Sequence, residues 1–317
     1  MTRIEKRVMA VGCAVLVLAG TLLLTWCWRK CRLAEARENA KREASAKAEA
    51  EARAAAEREA VYRQFSIYEP GTRLFVPLPP MLPHDHGRAE IGRKLFNDRR
   101  LTGLPRTPTL VCGRCHRLGD GGTDAKAHHG VLTRPVFNAS FATVYFHDGG
   151  APNLHAAIAK MIEDPFFSGG RRLETVVARL AEDKSLVERF SRSYQDGLSG
   201  SNVVDAVAEY MKTLVTHNKP FDYWCAGHAD AFTPEQQRGS EVFLAARCMD
   251  CHDGPVLGSR KVSRGRKVPA LRGLGLRKAY LTEGKIRDLD AVVPMMPGGD
   301  ALPPEDLKAL VEFLKAL

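Results

Sequence analysis

Tryptophan is scarce in this chain. There are three in 317 residues, and two of them, Trp26 and Trp28, sit in one N-terminal apolar run, leaving Trp224 alone beyond it. Alternating apolar and polar stretches bounded by tight turns are also missing, which argues against a β-sandwich or barrel. No disulfide scaffold is laid out either. Of eight cysteines, four fall in two short repeated motifs, Cys13 and Cys27 lie in the apolar run, Cys31 follows it and Cys225 stands alone. The net charge of +10 is accompanied by no nucleic-acid recognition motif, so it points to acidic partner surfaces and not to nucleic acid.

What is present begins with that apolar run. Residues 8–28, VMAVGCAVLVLAGTLLLTWCW, carry no charge over a length that crosses a bilayer as one helix. A cleaved signal peptide would share the short basic leader, but the run ends in TWCWRK without a small-residue cleavage site. The expectation is therefore an uncleaved inner-membrane anchor with residues 1–7 as a cytoplasmic tail. Residues 29–65 are dominated by Ala, Glu, Lys and Arg, with Glu38 and Arg42 four apart, and predict a solvated helical spacer. Large apolar seam residues are missing, so a coiled coil is disfavoured. Residues 66–87, with FVPLPPMLPHDH, predict a linker. Beyond it, AEIGRKLFND, LHAAIAKMIED, LETVVARLAEDKSLVERFSRSY, NVVDAVAEYMKTLVTH, PEQQRGSEVFLAAR and PPEDLKALVEFLKAL space apolar residues by three and four, so the folded part is expected to be all-α.

Two motifs carry the chemistry. VCGRCHRLGDGG holds Cys112, Cys115 and His116, and RCMDCHDG repeats the order and spacing with Cys248, Cys251 and His252. Zinc needs four ligands close together, and these pairs lie more than a hundred positions apart. A thioredoxin-type disulfide needs a βαβ setting that the pattern lacks. In Cys-x-x-Cys-His the two thiols can add to the two vinyl groups of one porphyrin while the adjacent imidazole ligates its iron, which is the c-type haem signature. Two covalent c-type haems are expected, one in each of two domains, 88–225 and 226–317. Such haems are attached outside the bacterial inner membrane, which places both domains in the periplasm.

Over residues 88–317 the chain resembles the bacterial di-haem cytochrome c peroxidases, the family that includes MauG. The resemblance rests on IGRKLFNDRRLTG, CHRLGDGGTD, FNASFATVYFHDGGAPNL, THNKPFDYWCAG and VPALRGLGLRKAYLTEG, which occur in that order around the two motifs. It implies an N-terminal haem that reacts with peroxide and a C-terminal haem of higher potential that takes electrons from a small cytochrome c, a cupredoxin or a quinol. It also admits a homodimer. A high potential calls for a methionine opposite His252; Met296 in LDAVVPMMPGGD is the matching residue, with Met295 beside it and Tyr280 as the MauG-like alternative. On the first haem, the resemblance implies a capping histidine in KAHHGVL, His129, with His128 as its competitor.

Three departures from the family pattern bear on the activity. Its inter-haem tryptophan falls at His147, its distal glutamine at Ala157 and its distal glutamate at or near Phe167. Cleaving an O–O bond requires an acid for the departing oxygen. Glu163 is the expected substitute, with Asp164 and His155 as competitors. The asparagine of a family calcium site does not align in VLTRPVFNAS, where Asn138 belongs to another position, so calcium is at most an additional ion. The basic run SRKVSRGRK, residues 259–267, suits haem propionates or an acidic donor. The expected function is peroxide reduction. The alternatives are a di-haem protein that only transfers or senses electrons, and MauG-like oxidation of a partner protein.

Overall fold

The computed structural model describes residues 75–102, 110–128, 130–165, 172–217, 219–258 and 260–317, together with scattered positions between 28 and 49. Contacts divide the chain into two compact units, residues 1–64 and 65–317. In the first, residues 34–42 are helical, and the expected pair forms, with Arg42 Nη2 2.7 Å from Glu38 Oε1. The anchor expected over 8–28 lies outside the described residues except for Trp28. Among the described residues no helix is long and apolar enough to cross a membrane.

The second unit is built from α1 (His86–Leu95), α2 (Arg99–Thr102), α3 (Cys112–Cys115), α4 (Leu154–Glu163), α5 (Leu173–Leu180), α6 (Lys184–Ser193), α7 (Gly200–Lys212), α8 (Pro220–Cys225), α9 (Pro234–Ala245), α10 (Leu289–Val292) and α11 (Pro304–Ala316). The stretch 173–194, one continuous helical pattern in the sequence, is two helices. Asp183 ends the first and caps the second, its Oδ1 accepting from Leu186 N. Two antiparallel ladders, each of two-residue strands, interrupt the all-helical expectation. These are β1 (Ala127–His128) with β2 (Val131–Leu132), and β3 (Val262–Ser263) with β4 (Arg266–Lys267). Turns at Gly130 and at Arg264-Gly265 take positive φ, which is how such short connections close.

Two apolar cores form. One gathers Ile91, Leu95, Val203, Val207 and Tyr210 around the α1–α7 crossing, and the other gathers Val242, Phe243, Leu310 and Phe313 around the α9–α11 crossing. The crossings share one device. Gly92 of α1 faces Ala206 and Tyr210 of α7, and a Cβ there would lie 1.9 Å from the Ala206 carbonyl oxygen. Gly239 of α9 meets Ala309 and Phe313 of α11 in the same way, at 2.0 Å. Each glycine lets two helix backbones touch at a spot where any side chain would separate them. The start of the proline-rich stretch is packed against the second core. Phe75 is buried in the second core against Phe221, Phe243 and Phe313, and Leu78 N donates to Asp222 Oδ1. Asp222 also pairs with the fully buried Arg272 at 2.5 Å.

Candidate haem sites

The first motif is held against the end of α1. Gly113 N donates to the Phe96 carbonyl at 3.2 Å, and a side chain on Gly113 would collide with Asn97. His116 follows directly, its N–H donating to the Cys112 carbonyl. All four motif cysteines are free thiols, and desolvation pushes Cys112 up to about 12, far from the thiolate a redox motif needs. Beside Cys112 and Cys115 lies a cavity of about 580 Å³, the size of a cofactor pocket. His116 Nδ1 is buried without a hydrogen bond, and desolvation holds the ring below its ordinary pKa. A neutral imidazole beside two thiols and an apolar cavity is the donor set that a covalent porphyrin requires.

One wall of the cavity is α4. Ala157, Ile158, Met161 and Ile162 contribute apolar surface, with Lys160 and Asp164 at the same wall. Glu163, the acid expected from the sequence, does not line it. Its carboxylate is exposed and accepts from Leu173 N at 3.0 Å, because the helical rotation turns position 163 away from the face that carries 157, 160 and 161, while Asp164 reaches the cavity from the extended residue that follows the helix. His155 is spent at the surface on Asp205, at 3.1 Å. Phe167 and His129 lie outside the described residues. His128 lines the cavity with Nε2 2.8 Å from Asp124 Oδ2 and 3.7 Å from Cys115 Sγ. These three groups form a ligand-like trio, but a thioether at Cys115 would remove its thiolate.

His147 also lines the cavity. Its Nε2 faces the Leu132 carbonyl at 3.1 Å, its Nδ1 is buried without a partner, and its own carbonyl accepts from Lys267 N at 2.7 Å. It therefore links the segments that follow the two motifs. Desolvation, aided by Arg134, holds its pKa down at about 4, so the ring is neutral. Asn138 is committed elsewhere: its Nδ2 donates to Thr216 Oγ1 at 2.7 Å and its Oδ1 accepts from Thr216 N at 2.9 Å. Both ends of its amide thus tie its loop to Thr216. Arg134 and Arg277 line the same cavity and were not singled out in the sequence, where isolated arginines carry no pattern.

At the second motif His252 Nδ1 lies 3.3 Å from the Leu257 carbonyl and 3.2 Å from that of Pro269. Donation there fixes the tautomer and leaves Nε2 for iron. Met296 is half-buried and Met295 is 58% exposed. Tyr280 is buried, and its hydroxyl donates to the Arg277 carbonyl at 3.2 Å. Burial raises its pKa. Cys225 is buried in the second core, and Trp224 stacks on Phe232 with centroids 4.7 Å apart.

Comparison with known proteins gives two adjoining family matches. Residues 86–230 match the family described as di-haem cytochrome c peroxidase, and residues 234–314 match cytochrome c oxidase, cbb3-type, subunit III. The chain is 31% identical over 282 residues to cytochrome c peroxidase Ccp of Escherichia coli, a match covering 76% of this chain and 60% of that protein. It is 29% identical to cytochrome c551 peroxidase of Nitrosomonas europaea, covering 76% of this chain and 83% of the relative. A solved MauG-like protein associated with microbial copper homeostasis shares the fold with TM-score 0.63 at 17% identity, over 79% of this chain and 95% of that one. Two c-type haem folds in tandem, each closed by a glycine-mediated helix crossing and each bearing its own Cys-x-x-Cys-His, are thereby accounted for: the chain belongs to the di-haem cytochrome c peroxidase family and carries two covalently bound c-type haems.

Proposed function

We propose that the protein reduces hydrogen peroxide to water in the periplasm, held to the inner membrane by residues 8–28, with electrons from a small cytochrome c, a cupredoxin or a quinol. The observation that carries this reading is the cavity beside the first motif, apolar along α4 except for Lys160 and Asp164. Cys112 and Cys115 hold one haem and His116 ligates it. Cys248 and Cys251 would hold the other, with His252 and Met296 as the side chains that would ligate it. When bound, the haems supply one-electron redox chemistry, the C-terminal one receiving electrons and the N-terminal one meeting peroxide.

The chain's own residues supply the rest. Ala157, Ile158, Met161 and Ile162 exclude water from the cavity, which strengthens every charge interaction inside it. Asp164 takes the role expected of Glu163, moving a proton from the near to the departing peroxide oxygen. The Lys160 ammonium, 5.1 Å from the Phe146 ring centroid, sits at the same wall and favours a developing negative charge. His147 stands where the family has an oxidisable indole. It is neutral and ties the Leu132 carbonyl to the Lys267 backbone, so it provides a rigid hydrogen-bonded bridge across the seam.

The test compares two neighbouring carboxylates in the holoprotein. Asp164→Asn is expected to lower kcat by about 100-fold or more with both haems attached, and Glu163→Gln to leave it within about twofold. The reverse order would remove Asp164 from this role.

A further inference from the structure

Three cations converge on the first cavity without a carboxylate to meet them. Arg134, Lys267 and Arg277 all line it. Arg134 Nε and Arg277 Nε are buried and have no hydrogen-bond partner, and Arg277 Nη2 reaches only the carbonyls of Ala270 and Arg272, at 2.9 and 3.3 Å. The Lys267 ammonium lies 5.3 Å from the Tyr145 ring centroid. Among the described residues no ion pair includes any of the three. Asp148, also at the cavity, accepts from Gly150 N instead. Desolvation and mutual repulsion hold Lys267 down at about 7, and desolvation holds Arg134 and Arg277 near 10. Charges that disfavour one another in a half-buried cleft are kept in a fold only if an anion offsets them.

The placement of Lys267 singles it out. It ends the basic run, and in the β3–β4 hairpin Val262, Ser263, Arg264 and Arg266 are all exposed while Lys267 turns inward. Its backbone is pinned by the bond from its N–H to the His147 carbonyl, so the ammonium is delivered from one side of the seam toward Arg134 on the other. A c-type haem is fixed through its vinyl edge and presents two carboxylates on its propionate edge. Those carboxylates are the anions this cluster lacks.

We propose that Arg134, Lys267 and Arg277 form a cation clamp for the propionates of the haem at Cys112 and Cys115, and that the Lys267 charge raises the potential of that haem. The inference rests on the haem attachment proposed above. Adding an electron to a site is favoured by each nearby positive charge, and a half-buried charge is weakly screened. The same charges repel a divalent cation, so the clamp works without calcium.

The experiment is a spectroelectrochemical titration of the holoprotein as wild type, Lys267→Met and Lys267→Arg, after confirming two covalent haems per chain. Lys267→Met is expected to make reduction of one haem about tenfold less favourable, a fall of 59 mV for one electron, with Lys267→Arg restoring the wild-type value. Adding calcium or a chelator is expected to leave both potentials unchanged. If two-haem Lys267→Met does not accumulate, Arg277→Gln is read in its place, with the same fall expected. Unchanged potentials in a two-haem variant would overturn the clamp, as would a calcium-dependent shift in the wild type. Loss of the first haem from the wild type would instead overturn the attachment reading.

Discussion

Replacing Gly92 by alanine puts one methyl group into the α1–α7 crossing. Its Cβ would sit 1.9 Å from the Ala206 carbonyl oxygen, 2.5 Å from its carbon and 2.9 Å from Tyr210 Cβ. Ordinary contact begins near 3.4 Å, and two of the three obstacles are backbone, so no rotamer change relieves them. The helices must part by about 1.5 Å, loosening Ile91, Leu95, Val203 and Val207 across the whole contact. Overpacking of this kind costs roughly 3 kcal/mol, which for a unit of this size corresponds to a fall in Tm of about 6–12 °C. Gly239→Ala repeats the insult at 2.0 Å in the second region and is expected to cost a similar amount. Gly119→Ala is the control: nothing lies within 4 Å of its Cβ, and the change should stay within about 0.5 kcal/mol. Thermal unfolding of the holoprotein, followed by helical ellipticity, reads all three. A Gly92→Ala protein as stable as Gly119→Ala would refute the direct helix contact.

Other consequences follow from buried charge. Asp222→Ala leaves Arg272, whose side chain is 0% exposed, without its carboxylate and is expected to cost about 3–5 kcal/mol; denaturant unfolding checks this, and a loss below about 1 kcal/mol would contradict the buried pair. His147 has a folded pKa of about 4, below its unfolded value, so the unfolded chain binds the proton first as pH falls. Its contribution is complete above about pH 6.5 and is lost toward pH 4. Allowing for solvent screening of a half-buried ring, wild type should lose about 2 kcal/mol more than His147→Gln across that window. Parallel stability curves would show that the imidazole is not held neutral by the fold.

The helices and haem motifs were legible because each follows from local rules: apolar spacing of three and four, and two thiols set beside an imidazole. The break between α5 and α6 was present as Asp183, but its capping role depends on a helix starting at Lys184, which an uninterrupted apolar stripe conceals. The glycine contacts were hidden because Gly92 matters through Ala206, more than a hundred residues away. The sequence did not separate the two neighbouring acids. Glu163 and Asp164 stand side by side just before Phe167, and only the structure shows that the cavity is lined by 157, 160 and 161 of the helix and by Asp164 just beyond its end. The clamp was half visible: a basic run marked Lys267, but only the hairpin shows that this residue turns toward the cavity, and Arg134 and Arg277 line the same cavity from distant segments. The role of Asn138 was hidden because both ends of its amide bond to Thr216, 78 residues away.

The most direct test of the central claim is hydrogen peroxide turnover by the two-haem protein, after one-electron reduction, with a reduced small cytochrome as donor. The account predicts sustained turnover, two donor electrons per peroxide, abolished by His116→Gly and strongly reduced by Asp164→Asn. No turnover in a protein whose two haems are both attached and whose second haem is reducible would contradict it, and would mean that a cavity without the family's glutamine and glutamate serves electron transfer or sensing alone.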